Sequence, residues 1–373
     1  MVRDHWPLAN ELLEGKQPTP STLSLLAKSG FEDPAQAFRI LQEMAKLLPD
    51  SADAGELLRD VARTVAASFQ PDLGLSNLER YCRALEPQAA QGLLRKFPLF
   101  GPAAVAIFSA SQYLTDIVLC QPGQFLEELE KGVMERALTR DELDDKLAAM
   151  LCGEEQFEGQ AERVREFKRW QFLRIAHRDL RRLGEPDLIL AELSSVADVC
   201  LDRVLELCEK ALIERHGALS DSATRPEGRS GFTVVGMGKL GGEELNFSSD
   251  IDLMYLYPSD AASTTGAPVA GGGTLNVVSA HESHSKLARM FTEAVSRVTP
   301  HGCMFRVDLR LRPEGRDGDI CCSLRSYELY YESWGETWER QALIKARPVA
   351  GNRALGDEFL RMVQPFVYPK YLD

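Results

Sequence analysis

The spacing of apolar residues along this chain changes once, at residues 217–231, and this change limits the folds that the chain can adopt. The segment GALSDSATRPEGRSG is small, polar and rich in helix-breaking residues, which is typical of a linker. Before it, apolar residues recur at helical spacing; after it, short apolar runs typical of buried strands alternate with helical stretches. The sequence therefore predicts a mostly helical α+β protein, in which a helical front portion precedes a small domain with a mixed sheet and flanking helices.

The predicted elements follow from these periodicities. In the front portion, helices are expected at residues 56–69, 75–85, 124–138, 166–184 and 187–216. Behind it, strands are expected at 232–236, 251–257 and 303–311, a small-residue loop at 259–273, and helices at 279–298, 323–338 and 352–363. We accordingly divide the chain into a helical region at 1–216, a linker at 217–231, a domain carrying the candidate site at 232–350, and the start of a further, truncated helical segment at 351–373.

Composition removes several classes of protein. The 43 Lys and Arg residues against 56 Asp and Glu leave a formal charge of −13, which argues against general binding to nucleic-acid phosphates. No apolar run approaches the roughly 18 residues of a membrane span, and the first residues lack the apolar core of a secretion signal. The eight cysteines form no C-x-x-C pair, so we expect reduced, mostly buried thiols in a cytoplasmic protein.

The candidate chemistry concentrates in the segment GFTVVGMGKLGGEELNFSSDIDL, at residues 231–253. Its glycines at 236, 238 and 241 fit the G-x-G-x-x-G fingerprint of dinucleotide-binding folds. That interpretation needs a helix beginning at the glycines and an acid closing the next strand, whereas here the acids open that strand. A P-loop is excluded because Lys239 is followed by Leu240 instead of Ser or Thr.

The aspartates favour a different interpretation. Side chains at positions i and i+2 of a strand share one face, so Asp250 and Asp252 are expected to project together. Two adjacent carboxylates repel each other unless a cation lies between them, and hard oxygen ligands suit Mg²⁺ or Mn²⁺ carrying substrate phosphates. The Gly238–Gly242 backbone, with Ser248 and Ser249, can offer N–H and hydroxyl groups to phosphate oxygens.

A third predicted strand carries another aspartate and several arginines. In RVDLRLRP, at residues 306–313, Asp308 shares one face with the arginines at 306, 310 and 312. Alone, this pattern is typical of an exposed ion-pair stripe; beside the other two aspartates it predicts a third metal carboxylate. Two metal ions held by three carboxylates can stabilise both the attacking and the leaving oxygen of an in-line phosphoryl displacement. Arg310, Arg312, Lys345 and Arg347 are then expected to balance phosphate charge.

Three other motifs receive structural interpretations. The segment HESH at 281–284 departs from the H-E-x-x-H zinc motif because position 285 is serine, so it is predicted to be the surface of a helix N-terminus. Trp334 and Trp338 are predicted to pack from one helix, four residues apart. His177, among the arginines at 174, 178, 181 and 182, is predicted to lie on a solvated basic helix face.

A glycine-rich turn, a D-x-D strand start and a later strand aspartate resemble the polymerase-beta-like nucleotidyltransferases. More narrowly, GMGKLGGEELNFSSDIDL, FRVDLRLRPEGRDG and WERQALIKARPVAG resemble the glutamine synthetase adenylyltransferase family, which includes the adenylyl-removing activity. Weaker similarity extends upstream through KRWQFLRIAHRDLRRLG and FPLFGPAAVAIFSASQYLTDIVLCQPGQFL. The resemblance covers residues 97–373.

This resemblance implies a polymerase-beta-like catalytic domain, in the N-terminal, adenylyl-removing half of a bifunctional protein. It implies catalytic and metal-binding roles for Asp250, Asp252 and Asp308, with two Mg²⁺ or Mn²⁺ ions. ADP or ATP and phosphate would be substrates or products, glutamine synthetase the protein substrate, and the PII signalling protein a further partner. The residues expected around nucleotide and phosphate are Gly238, Lys239, Gly241, Gly242, Ser248, Ser249, Arg310, Arg312, Lys345 and Arg347.

The sequence departs from the family in holding one such motif set, so we expect a piece of a longer protein without the adenylylating half. The implied reaction is attack of orthophosphate on a tyrosyl-AMP ester, releasing ADP, with positioning and electrostatics carrying most of the catalysis. Two alternatives stay open. One is ATP-dependent adenylylation in the forward direction, and the other is a catalytically silent nucleotide sensor.

Overall fold

The structure is a computed structural model that describes residues 8–48, 53–220, 231–268 and 273–369. It confirms an α+β protein that is mostly helical. Contacts between residues divide the chain into two units, one of residues 1–137 with 173–185 and the other of 138–172 with 186–373. Most of the predicted linker, at 221–230, lies outside the described residues, and the domain boundaries predicted from the sequence stay a prediction.

The first unit consists of short helices, several of which begin at a proline. Proline suits the first helical position because its ring presets φ and its missing N–H would have no partner there. At the centre of the unit, the Tyr81 ring packs on Phe108 and Phe125 at centroid distances of 5.3 and 5.7 Å. The helices of this unit are α1 (Leu8–Leu13), α2 (Pro20–Lys28), α3 (Pro34–Ala45), α4 (Ala54–Ala66), α5 (Pro71–Ala84), α6 (Pro87–Arg95), α7 (Phe97–Ala110), α8 (Gln112–Cys120), α9 (Pro122–Glu130) and the part of α11 (Phe157–Leu180) from residue 173 onward.

The helix predicted at 124–138 is too long. Helix α9 ends at Glu130, and Gly132 then adopts a φ of +68° before a 3₁₀ turn at Val133–Glu135. A left-handed φ ends a helix readily at glycine, which has no Cβ to clash. Apolar spacing alone did not signal this stop.

The solvated basic face predicted around His177 is wrong. Arg174 and His177 have no exposed surface, and Arg178 is 4% exposed. Main-chain oxygens explain how these groups are accommodated: Arg174 donates to the carbonyl of Arg136 at 2.6 Å, and His177 Nδ1 lies 3.0 Å from the carbonyl oxygen of Met134. Burial lowers the pKa of His177. The arginines around His177 suggested a solvated face, but this face of the helix contacts protein instead of water.

Two expectations drawn from composition can be compared directly with the structure. All eight cysteines are free thiols; Cys82, Cys200, Cys208 and Cys321 are buried, and the others are half-buried or exposed. Among the described residues, no single helix has the length and apolar character to cross a membrane; α6 and α7 pass that test only as a pair, across a bend of 105°.

The second unit surrounds a small sheet with helices. Its helices are α10 (Arg140–Leu151), the part of α11 (Phe157–Leu180) up to residue 172, α12 (Pro186–His216), α13 (Gly238–Gly241), α14 (Ala280–Ser296), α15 (Leu324–Ser333), α16 (Thr337–Leu343) and α17 (Arg353–Val367). Its strands are β1 (Thr233–Met237), β2 (Ile251–Tyr257), β5 (Val307–Asp308), β6 (Cys322–Ser323), β7 (Arg347–Gly351) and a separate hairpin of β3 (Ala267–Pro268) and β4 (Thr274–Leu275).

The sheet has the order β5-β2-β1-β7, with β6 also paired to β2. Strand β1 runs antiparallel to β2 and β7, whereas β2 runs parallel to β5 and β6. A dinucleotide-binding fold needs parallel strands on both sides of the glycine turn. The antiparallel β1–β2 pair therefore excludes that interpretation of the glycines.

Both faces of the sheet are covered. On one face, Val235 and Met254 join a core with Tyr327 and Phe359, from α15 and α17. On the other face, Tyr255 packs edge-on against Phe291 of α14, with ring centroids 5.8 Å apart. Because both faces are buried, the strands read as continuous apolar runs in the sequence.

Two predicted elements of this unit differ from the structure. The strand predicted at 303–311 shrinks to Val307–Asp308, because the chain beyond it turns. The helix predicted at 323–338 breaks into α15 and α16 at Gly335, where an added Cβ would lie 2.6 Å from the Phe366 ring. The loop predicted at 259–273 contains β3 and isolated bridges at Ser263 and Thr264; residues 269–272 lie outside the described residues.

The histidine and tryptophan motifs also differ from expectation. His284 is buried and stacks on Tyr257, with centroids 4.4 Å apart, so its prediction as surface is wrong. Trp334 and Trp338 are 75% and 41% exposed and do not share a helix, so they are not the packed pair predicted.

Candidate active site

The sheet brings two of the three predicted aspartates side by side. In the parallel β2–β5 pair, Ile251 lies beside Val307 and Asp252 beside Asp308. Residues in register on adjacent strands project to the same face, so both carboxylates point to one side of the sheet. Asp250 lies two residues before Asp252, just outside β2. The three aspartates thus lie near one another on two neighbouring strands, with Asp252 and Asp308 in register.

The glycine turn closes this cluster on its other side. Met237, the last residue of β1, pairs with Asp252, and Gly238 follows it with a φ of +54°. A Cβ at Gly238 would lie 2.5 Å from Asp252 Oδ2, so any larger residue would displace this carboxylate as well as strain the backbone. The first residue of the turn therefore lies directly against the central carboxylate.

The carboxylates influence each other electrostatically. Partial burial raises the pKa of Asp252, and the negative charges of Asp308 and Asp250 raise it further. Asp308 behaves oppositely, because its hydrogen bonds to Arg310 lower its pKa. Asp252 is therefore the carboxylate with the least compensated charge, and the one with most to gain from a cation.

Two exposed arginines hold the outer aspartates. Arg306 pairs with Asp250 through Nε and donates to the carbonyl of Ser248 at 2.6 Å. The main-chain N–H of Arg310 donates to Asp308 Oδ1 at 2.8 Å, and its Nε donates to Oδ2 at 2.8 Å. Both arginine side chains are about two-thirds exposed, at 66% and 65%. Exposed ion pairs contribute about 0–1 kcal/mol, so a phosphate or a cation can replace these contacts at low cost.

The predicted phosphate-binding residues of the turn lie together. Lys239 Nζ donates to Ser249 Oγ at 3.2 Å, and Ser249 Oγ donates to Asn246 Oδ1 at 2.6 Å. Lys345 packs against Gly242, where an added Cβ would lie 2.9 Å from its Cδ, and its Nζ pairs with Glu244 at 2.6 Å. These exposed cations and hydroxyls border the turn that adjoins Asp252.

Arg312 and Arg347 are placed differently. Arg312 donates to the carbonyls of Leu309, Asp319, Arg316 and Gly318, which fixes the loop after β5. Arg347 pairs with Asp198 and donates to the carbonyls of Leu240 and Gly241. Their donors are used inside the protein, so the structure does not support the prediction that these two arginines bind phosphate.

The donor set fits a divalent cation in its chemistry. It offers carboxylate oxygens, which suit Mg²⁺ or Mn²⁺. The pKa of Asp252 is raised first by burial and then by the negative charges of Asp308 and Asp250, and a bound cation would offset those charges. Within the described residues, no three His, Cys, Asp or Glu side chains are already arranged as a ligand set. Asp250 and Asp308 are turned toward Arg306 and Arg310, so cation binding requires these pairs to open.

Comparison with known proteins places this geometry in a family. The model of the glutamate-ammonia ligase adenylyltransferase family matches residues 103–362, which include the glycine turn and all three aspartates. The chain belongs to this family. The resemblance inferred from the sequence blocks is thereby confirmed.

The relatives are named as bifunctional enzymes. The chain is 35% identical over 331 residues to the bifunctional glutamine synthetase adenylyltransferase/adenylyl-removing enzyme of Pseudomonas aeruginosa, covering 88% of this chain and 30% of the relative. It is 34% identical over 271 residues to the protein of the same name from Thioalkalivibrio sulfidiphilus, covering 73% of this chain and 27% of the relative. The chain thus spans less than a third of the length of these family members.

Several contacts around the aspartate cluster, the glycine turn and Phe305 were not predicted from the sequence. Arg306 was placed on the strand face, but its pairing with Asp250 was not foreseen. Asp198 lies within the apolar stripe of α12 and is 2% exposed, so an acid among apolar helix positions was the available signal. Ser194 of the same helix accepts the N–H of Leu245, after the glycine turn, at 3.1 Å. Lys168 of α11 lies over the rings of Phe172 and Phe305.

Proposed function

We propose that this chain is a metal-dependent nucleotidyltransferase whose site is the aspartate cluster at the start of β2 and β5. The observation that carries the proposal is the register of Asp252 with Asp308, which places both carboxylates on one face beside Gly238. An antiparallel β1–β2 pair joined by a glycine turn, with β5 parallel to β2, supports a polymerase-beta-like catalytic domain. Membership of the adenylyltransferase family supports the same assignment.

More specifically, we propose removal of AMP from a tyrosine of adenylylated glutamine synthetase. An orthophosphate oxygen attacks the AMP phosphorus, the bond from phosphorus to the tyrosine oxygen breaks, and ADP and the free tyrosine are released. Asp250, Asp252 and Asp308 would hold one or two Mg²⁺ or Mn²⁺ ions, which supply positive charge for the phosphoryl oxygens when bound. The names of the relatives cover both adenylylation and removal, so the direction rests on the sequence blocks ELNFSSDIDL and ALIKARPVAG.

We assign the AMP phosphate to residues of the glycine turn and orthophosphate to the segment after β5. Lys239 and Ser249, which are hydrogen-bonded to each other, border the turn that would receive the AMP phosphate. Arg310 is exposed and next to Asp308, so it can leave the carboxylate and bind orthophosphate. Phosphate already carries a basic oxygen, so no general base is assigned. Glutamine synthetase is the proposed protein substrate, and the PII protein a proposed regulatory partner.

The deciding experiment supplies AMP-modified glutamine synthetase, phosphate and Mg²⁺ or Mn²⁺ and measures ADP release. Turnover that disappears with Asp252→Asn, in a folded variant, supports the proposal. The parallel reaction supplies labelled ATP and unmodified glutamine synthetase. Label transfer to the protein without ADP release in the first reaction would assign the forward direction instead, and nucleotide binding without turnover in either reaction would indicate a silent sensor.

A further inference from the structure

Arg347, the first residue of β7, is half-buried and hydrogen-bonds to the main chain of the glycine turn. Its Nη2 donates to the carbonyl of Leu240 at 3.0 Å, and its Nε lies 3.4 Å from the carbonyl oxygen of Gly241. Its Nη1 and Nη2 bind the two oxygens of Asp198 at 2.5 and 3.1 Å. One guanidinium therefore joins the main chain of the turn to a carboxylate on helix α12.

The carboxylate that holds Arg347 is fixed and shielded. The Asp198 side chain is 3% exposed, whereas that of Arg347 is 23% exposed. A two-pronged contact between guanidinium and carboxylate fixes orientation as well as distance, which a lysine ammonium does not reproduce. The other partner of Asp198 is Arg140, whose Nη1 donates to Oδ2 at 2.8 Å. Among the described residues, Arg140 forms no hydrogen bond or ion pair with the glycine turn.

The main chain around the turn leaves little space on this side. An added Cβ at Gly241 would overlap the carbonyl oxygen of Lys345 and would lie 2.6 Å from that of Gly236. The main chain before β7 is thus in contact with the turn, and the guanidinium of Arg347 adds hydrogen bonds at the same place. At the other end of the turn, Gly238 touches Asp252. A shift of the turn is therefore transmitted to the central carboxylate.

We propose that Asp198 and Arg347 are positioning residues for the reaction: the pair holds the glycine turn at the distance that keeps Asp252 in its productive place. This inference rests on the proposed function, and it replaces the expectation that Arg347 binds phosphate. A supporting pair of this kind governs how well a site is preorganised, not how tightly it binds a substrate that the pair does not touch.

The experiment compares Asp198→Asn and Arg347→Lys with Arg140→Gln as the matched control, since Arg140 binds the same carboxylate but does not hydrogen-bond to the turn in the described part of the chain. Amide hydrogen exchange of peptides covering residues 236–245 reads the turn directly, without substrate or metal. Faster exchange is expected in the two test variants and wild-type exchange in the control. In ADP release, kcat is expected to fall by about tenfold or more in both test variants, with KM for phosphate unchanged.

Two results would overturn the inference. One is wild-type exchange of the turn in both test variants. The other is a raised KM for phosphate in Arg347→Lys that Asp198→Asn does not share, which would make Arg347 a phosphate ligand. Should Asp198→Asn fail to fold because it leaves Arg347 unpaired, the double variant Asp198→Asn/Arg347→Gln removes both charges and is read in the same way. If the wild type releases no ADP, the proposed function fails, while the exchange data still decide whether the pair holds the turn.

Discussion

Gly238 offers the sharpest test of the candidate site, because one methyl group should displace the central carboxylate. In Gly238→Ala the new Cβ would lie 2.5 Å from Asp252 Oδ2, whereas ordinary contact begins at 3.4 Å. The carboxylate or the turn must therefore move by about 0.9 Å. Misplacement of a catalytic group by about 1 Å costs about 100-fold in rate, so kcat should fall by about two orders of magnitude.

The same substitution also strains the backbone, and this second effect needs its own control. Gly238 has a φ of +54°, a conformation that costs an alanine about 1–2 kcal/mol. Gly302 has a φ of +82°, and a Cβ there would meet no atom within 4 Å. Gly302→Ala thus adds comparable backbone strain in the same unit without touching an aspartate.

The assay measures ADP release from AMP-modified glutamine synthetase at saturating phosphate and metal, together with thermal unfolding of each variant. Both variants should unfold at a somewhat lower temperature than the wild type. Only Gly238→Ala should lose most of its kcat. Wild-type turnover in a folded Gly238→Ala protein, or an equal loss in Gly302→Ala, would refute the argument that the turn positions Asp252.

Two further predictions concern the cations and the packing of the turn. Arg310→Ala should raise KM for phosphate more than KM for the modified protein, since Arg310 is exposed and adjoins Asp308; equal effects in initial-rate kinetics would contradict its assignment to phosphate. Gly241→Ala should lower the free energy of unfolding by about 1–3 kcal/mol in urea titrations, because its Cβ meets main-chain oxygens on two sides. An unchanged urea midpoint would show that the turn is free to move away from Lys345.

The parts of the fold that the sequence predicted well are those in which one physical signal dominates. Helix α12, predicted at 187–216, runs from Pro186 to His216, because its apolar spacing is sustained and a proline marks its start. Strands β1 and β2 were predicted from apolar runs that are buried on both faces. The register of Asp252 with Asp308 is the geometry expected from alternation along each strand, whereas the roles of these residues stay a prediction.

The parts that failed depend on particular side-chain contacts, which the spacing of apolar residues does not encode. The strand predicted to continue past Asp308 instead turns, and Arg312 fixes that turn by donating to carbonyls such as those of Leu309 and Gly318. Nothing in the local alternation distinguishes an arginine that binds phosphate from one that binds its own loop. His284 was predicted to lie at the surface, but it stacks on Tyr257, which lies on another element and leaves no signal in the sequence around His284. Pair contacts of this kind are invisible to periodicity.

The ionised Asp252 destabilises the folded protein, so the direction in which its removal changes the unfolding temperature can be predicted. The pKa of Asp252 is raised in the folded protein, so its ionised form favours the unfolded chain above the ordinary value of 3.8. Asp252→Asn should therefore raise the unfolding temperature near neutral pH in metal-free buffer. This advantage should shrink as the pH falls toward 3.8, because the wild-type carboxyl then becomes protonated.

Asp308→Asn is the matched control with the opposite sign. Arg310 lowers the pKa of Asp308, so the ionised form stabilises the folded protein above pH 3.8 and that contribution is lost as the pH falls through the lowered pKa. Its loss should lower the unfolding temperature slightly, since the pair is exposed on the arginine side. Adding Mn²⁺ should stabilise the wild type more than Asp252→Asn, because a ligand stabilises only the state that binds it. Equal increases in the unfolding temperatures of wild type and Asp252→Asn with Mn²⁺, or destabilisation by Asp252→Asn at neutral pH, would contradict this reasoning. Either result would mean that the charge of Asp252 is compensated by the protein and that Asp252 is not a cation ligand.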